Sequence, residues 1–292
     1  MPDIQLIVTG DMEKLSLHEA LGQAFPDIEF REPIQSQGFT SRNVNSISLE
    51  SLDEDEDIYE LVNDLFAAIE DRQSADMIIV VEDLEIINIS HPEKVVECFH
   101  KAVKIHTQKH NITQRIRNKL KNNCSFHLVV PMTEAYFFKD KMDGSNPAAL
   151  NRAGAVLQST VLGNQIDVEN FKVINHTYQG VDYLTSEGSS YWAKTLENRD
   201  KHPKKYLDYL CCPKTDKKTC RKRRYRETKG GVNALKALDW DSVFSGNSNQ
   251  VKFLRSLFHD IAWKFNLQIP YQGKCASITE YIDKKNRVLR NI

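Results

Sequence analysis

Five consecutive apolar residues, Met77-Ile78-Ile79-Val80-Val81, run straight into Glu82-Asp83-Leu84-Glu85. A strand that is apolar at every position is buried on both faces, and sheets buried on both faces are mostly parallel and covered by helices. Ile4 to Val8 is a second short apolar run, closed by Gly10, and Leu15, Leu17, Ala20, Leu21 and Ala24 follow it on one helical face. Ile58, Leu61, Val62, Leu65, Phe66 and Ile69 repeat with helical spacing ahead of Met77, behind an acidic run over Asp53 to Asp57 that reads as a solvated helix start. Val95, Val96, Phe99 and Val103 mark a further helix, then a basic stretch reaches Lys121, and Ser125 to Val130 makes a third strand stopped by Pro131. The N-terminal half therefore reads strand-helix-helix-strand-helix-strand, an α/β pattern. Carboxylates collect at the C-terminal ends of its strands, where open α/β sheets place their sites.

Charge divides the chain. The first 97 residues hold 5 Lys and Arg against 23 Asp and Glu, and the remainder hold 34 against 17, so the net charge of −1 conceals an acidic and a basic part. Such asymmetry points to nucleic acid or an acidic partner for the basic part, or to attraction between the two parts. The densest cations are Lys214, Lys217, Lys218, Arg221, Lys222, Arg223, Arg224 and Arg226, with Tyr225 placed to stack on a base. A solvated loop and a partner's acidic face are the competing readings of that run. No apolar run approaches the roughly 20 residues needed to span a bilayer. The N-terminus has the pattern of a first strand rather than of a signal peptide. Six cysteines in 292 residues do not make a secreted disulfide framework, so reduced thiols in the cytoplasm are expected. Cys211, Cys212 and Cys220 lie close together with His202 nearby, but adjacent cysteines and a wide gap do not match the paired spacing of a zinc site.

Beyond Pro131, Gly144 and Pro147 introduce a small-residue helical excursion over 141–160, and Pro203 opens a helix. Gly230-Gly231 precedes Leu235, Leu238, Trp240 and Val243, and Val251, Leu254, Leu257, Phe258 and Ile261 mark another helix. The expected division is an α/β core over 1–140 and a basic, mainly helical elaboration over 141–292 packed on the same core. The chain has no phosphate-binding Gly-x4-Gly-Lys-Ser/Thr motif and no nucleophile elbow, so neither ATP hydrolysis by this chain alone nor a Ser-His-Asp triad is expected.

Four short islands occur in order: Ile7-Val8-Thr9-Gly10-Asp11-Met12-Glu13; Val80-Val81-Glu82-Asp83-Leu84-Glu85; Pro131-Met132-Thr133-Glu134-Ala135-Tyr136-Phe137-Phe138-Lys139-Asp140; and Tyr225-Arg226-Glu227-Thr228-Lys229-Gly230-Gly231-Val232-Asn233-Ala234-Leu235. Together they resemble a bacterial family of Toprim-like proteins of unknown function, related to the Toprim parts of overcoming-lysogenization-defect nucleases. Phe253-Leu254-Arg255-Ser256-Leu257 extends the likeness. The resemblance implies a Toprim-like, mostly parallel sheet flanked by helices, with a basic α-helical C-terminal elaboration. It also implies an antiviral defence role beside an ATPase partner, in which an oligomeric assembly is plausible. The chain departs from the family pattern twice: Thr9 stands where the first strand ends in Glu, and Asp83-Leu84-Glu85 stands for Asp-x-Asp.

Two functions follow. In the first, the chain is a nuclease acting on DNA or RNA with Mg²⁺ or Mn²⁺. Asp83, Glu85 and Glu134 would hold the ion, and Glu13 would act as base or further ligand. Lys217, Lys218, Arg221, Lys222, Arg223, Arg224 and Arg226 would grip the nucleic-acid backbone. Side chains alternate along a strand, so Asp83 and Glu85 are expected on one face and Glu82 pointing away as a solvated bystander. In the second, the centre is degenerate, and the chain binds a protein partner or nucleic acid without cutting it.

Overall fold

A computed structural model describes residues 1–52, 57–139, 167–173, 177–178, 181–182, 199–211, 225–279 and 286–292. The described chain is α/β, with a mostly parallel, seven-stranded mixed sheet flanked by helices. It divides into two compact units, Met1–Val130 with Lys252–Ile292, and Pro131–Val251. The first unit thus reclaims the C-terminal 41 residues, which the division at 140 places in the elaboration.

The first unit is built on three parallel strands, β1 (Asp3–Val8), β4 (Met77–Asp83) and β5 (Cys124–Val129), with β4 between the other two. Short β2 (Glu29–Phe30) and β3 (Ile34–Gln35) both pair in parallel with β1. On the other side β9 (Val288–Arg290) runs antiparallel to β5, and β8 (Ile278–Thr279) pairs with β9. The all-apolar run Met77–Val81 is central and buried throughout, as its composition predicts.

Strand alternation sends the two faces to different helices. Ile7, Ile78, Val80, Phe126 and Leu128 meet α2 (Ile58–Glu70) and α3 (Pro92–Lys109), whose buried side chains include Leu61, Val62, Leu65, Val95, Val96 and Phe99. Phe99 stacks on Phe126 with ring centroids 4.3 Å apart. α4 (Gln114–Asn123) adds Ile116 and Leu120 to this core and runs directly into β5. Thr113 caps α4, its side chain accepting from the Ile116 backbone N–H. The opposite face carries α1 (Asp11–Ala24) and α8 (Lys252–Lys264), joined by a Phe25–Phe258 ring contact at 5.3 Å. α1 buries Met12, Glu13, Ser16, Leu17, Ala20 and Leu21, so its buried stripe is turned from the expected one and Leu15 is exposed.

A charged cluster is locked into that opposite face. His127 of β5 and Asp260 of α8 are fully buried, with His127 Nε2 3.0 Å from Asp260 Oδ2, and Arg290 of β9 donates to the other carboxylate oxygen. Burial alone would raise the Asp260 carboxyl. The His127 hydrogen bond and charge, then Arg290, outweigh it and hold the group below the usual carboxylate range.

The second unit holds the antiparallel pair β6 (Thr177–Tyr178) and β7 (Val181–Asp182), α5 (Pro203–Cys211), which begins at the expected proline, and a single π-helical turn, Glu227–Gly231, leading into α6 (Val232–Lys236). α7 (Trp240–Phe244) is capped by Asp239, whose side chain accepts from the backbone N–H groups of Asp241 and Ser242. Phe138, Phe171 and Tyr206 pack as an aromatic group with centroids 5.0 to 6.5 Å apart. Asp53 to Glu56, the stretch 141–160 and residues 212–224 lie outside the described residues.

Removing one member of a buried charged cluster strands the others. Asp260→Ala is expected to cost about 3–5 kcal/mol at neutral pH, measured by urea unfolding. The difference from the parent chain should shrink as pH falls through the depressed folded pKa, because the parent then loses the same contribution.

Candidate functional site

The site sits where β1 and β4 end. Val8 pairs with Val81, which sets Thr9 beside Glu82 one step further along the parallel ladder. β4 extends two residues past the apolar run, to Asp83. Glu82 therefore falls on the same face as Ile78 and Val80, the face covered by α2 and α3. It is only 2 % exposed, and the expectation of a solvated Glu82 is overturned. The physical reason is the length of the strand: alternation continues through Glu82, so the side chain enters the core.

Three neighbours close over it. The Thr9 hydroxyl bonds to Glu82 Oε2, and the Ser41 backbone N–H donates to Oε1 at 2.8 Å. Ser41 opens a short 3-10 helix, Ser41–Ser46, which Thr40 caps. Its hydroxyl donates to the carbonyls of Asp83 and Leu84, at 2.7 and 2.9 Å. Buried Asn88 completes the closure, donating to Ser41 O at 2.7 Å and Leu84 O at 3.0 Å, while Asn45 donates to its Oδ1.

Burial pushes the Glu82 carboxyl up to about 8; the bonds from Thr9 and Ser41 pull against that, and the negative charges of Glu85 and Glu13 add to it. Glu82 is thus mostly protonated at neutral pH. A neutral carboxyl in an apolar setting avoids the cost of a buried unpaired charge, and it supplies one donor and one acceptor.

The other candidate carboxylates are placed differently. Glu13 is buried, and its carboxylate occupies the space above Gly10, where a Cβ would lie 2.0 Å from Oε2. The chain is already helical at Asp11, so Glu13 projects from the first turn of α1. Asp83 is the last residue of β4. Glu85 lies beyond the strand with φ 62°, so Asp83 and Glu85 do not share an extended face. The Glu85 carboxylate instead pairs with Arg42 at 3.0 Å. Glu134 belongs to the second unit, is buried, and accepts from the Tyr225 hydroxyl at 3.1 Å. In the same unit Tyr136 donates to Glu169 at 3.0 Å and Lys139 to Gln250 at 3.0 Å.

Among the described residues no group of three or more His, Cys, Asp or Glu is arranged to hold a metal ion. Of the cations expected on nucleic acid, Arg226 is exposed, whereas Lys217, Lys218, Arg221, Lys222, Arg223 and Arg224 lie outside the described residues. Cys212 and Cys220 lie outside them too, and Cys98 and Cys124 are buried. No helix among the described residues is long and apolar enough to cross a membrane.

Fold and site together define an α/β protein with a buried, protonated carboxyl at the C-terminal edge of a parallel sheet. In comparison with known proteins, no family model, no curated protein and no solved structure matches the chain.

A carboxyl raised by folding stabilises the fold below its unfolded pKa, and that contribution is lost as pH rises through the folded value. For Glu82 the window runs from the ordinary value of 4.5 to about 8. Glu82→Gln keeps a neutral donor and acceptor, so it should flatten the fall in stability across this window. Unfolding free energies taken at intervals over that range check it, with the variant more stable than the parent at the alkaline end.

Proposed function

We propose that this chain is a Toprim-like subunit that binds a protein partner or nucleic acid without cutting it. One observation carries the reading: the carboxyl nearest the place of the family's first-strand Glu is a buried, protonated group already bonded to Thr9 and Ser41. Mg²⁺ takes ionised carboxylate oxygens in near-octahedral geometry and leaves room for water. Glu82 meets neither condition, and Arg42 already neutralises Glu85. Glu82 and Glu85 as they stand do not fit the ion that the family resemblance implies. Their part is to hold the fold, with Glu82 as a latch between β1, β4 and the segment at Ser41.

The basic C-terminal half and its cations at 217–226 would then form a contact surface. An ATPase encoded alongside would supply the nucleotide chemistry that the chain lacks. The test is incubation of the purified chain with plasmid, single-stranded DNA and transfer RNA, with and without Mg²⁺ or Mn²⁺ and with and without any ATPase encoded beside it, together with Asp83→Ala/Glu85→Ala. The expected result is intact substrate in every lane. Metal-dependent cutting that disappears in the double variant would replace this reading with the nuclease one.

A further inference from the structure

The first unit carries a second, oppositely charged feature. Residues 98–133 contain no Asp or Glu, although the chain holds 40 of them. Within that stretch α4 carries Arg115 and half-exposed Lys119 on one flank and Arg117 and Lys121 on the other, either side of Ile116 and Leu120, which face the core. None of these four cations makes an ion pair among the described residues. By contrast, Lys14 pairs with Glu32, Arg31 with Asp3 and Arg42 with Glu85.

The end of α4 is tied to the end of α8, where Lys264 donates to Asn122 O at 2.9 Å. Beside Lys264, Trp263 is 56 % exposed, an unusual state for an indole in a folded domain. The Arg290 guanidinium lies 4.6 Å from the Trp263 ring centroid. This contact, with Arg290 itself held by Asp260, braces the indole on one side. An indole fixed in place costs little further ordering when a second flat group stacks on it.

Cations on both flanks of α4, with the helix tied through Asn122 to Lys264 and the exposed, braced ring next to it, supply the two components of sequence-tolerant single-strand recognition: charge follows the phosphates, and the ring takes an unstacked base. A duplex offers the phosphates but keeps its bases stacked, and an acidic peptide offers charge alone. We propose that the solvent face of α4, with Trp263 and Lys264 at the end of α8, binds a single-stranded nucleic acid. This rests on the binding reading above and gives it a ligand class and a place, distinct from the cations at 217–226.

The test is fluorescence anisotropy of a labelled oligothymidine titrated with the full chain in EDTA, at several salt concentrations. A duplex and polyglutamate are run as competitors. Arg117→Glu/Lys121→Glu should weaken binding by about tenfold or more and reduce the slope of log affinity against log salt by about 1.4. Arg117→Gln/Lys121→Gln is the gentler variant should charge reversal disturb folding, and the same direction is expected of it. Trp263→Ala should weaken binding by about fivefold or more with the salt slope unchanged. Lys217→Ala/Lys218→Ala should retain both of these α4 and Trp263 effects.

Absence of oligothymidine binding, or binding unmoved by the α4 and Trp263 variants, would overturn the proposal. Equal competition by duplex would overturn the part given to Trp263, and stronger competition by polyglutamate would reassign the face to an acidic protein. Because EDTA excludes metal-dependent cutting, cleavage in the separate incubation would defeat the non-cutting reading while leaving this one standing.

Discussion

Thr9 and Glu82 meet because β1 and β4 are parallel and in register through Val8 and Val81. Much at this edge of the sheet depends on that meeting. A carboxyl in the core must be paired, coordinated or neutral, and here it is neutral and bonded on both oxygens. Ser41 binds Glu82 through its N–H and the end of β4 through its hydroxyl, and Asn88 then holds Ser41. Removing the Glu82 side chain would leave the Thr9 hydroxyl and the Ser41 N–H without this acceptor in a closed space, at a cost set by desolvation rather than by the bonds alone.

The same geometry recasts the departure at Thr9. A carboxyl on the first strand is absent, yet one stands directly across the ladder on the next strand, and Thr9 is its partner. Glu13 and Glu85 stay close enough to raise the Glu82 pKa, so the acidic character of the site survives. What changes is availability, since one oxygen donor is protonated and another is paired with Arg42. The cations lie elsewhere in the first unit. α4 and Lys264 meet where β5 begins, whereas the carboxyls lie where the parallel strands β1 and β4 end. The unit therefore carries acid and base toward opposite ends of its strands.

The sheet was largely legible because its signals are local. The run at Met77–Val81 can only be a doubly buried strand, and the periods in α2 and α3 match the residues that are buried. The burial of Glu82 is not legible because a carboxylate at a strand end ordinarily faces water, whereas β4 runs on to Asp83 and alternation turns Glu82 onto the face covered by α2 and α3; the common face expected for Asp83 and Glu85 fails separately, at φ 62° on Glu85. α1 was misaligned because its buried stripe includes Glu13 and Ser16, which hydropathy alone assigns to solvent. The return of the C-terminal residues to the first sheet was not readable, since β8 and β9 are two and three residues long and take their place by pairing. The contact between Trp263 and Arg290 is equally non-local, although the acid-free stretch feeding α4 is visible by inspection.

The central claim is that Glu82 is a neutral structural group. Its most direct test is carbon-detected NMR of side-chain carboxyls over a pH series, with Glu82→Gln assigning the resonance and Mg²⁺ added at the end. A neutral, structural Glu82 titrates near 8 and does not respond to Mg²⁺ at neutral pH. Titration in the ordinary carboxylate range, with a shift on adding Mg²⁺, would contradict this and place Glu82 among the candidate metal ligands.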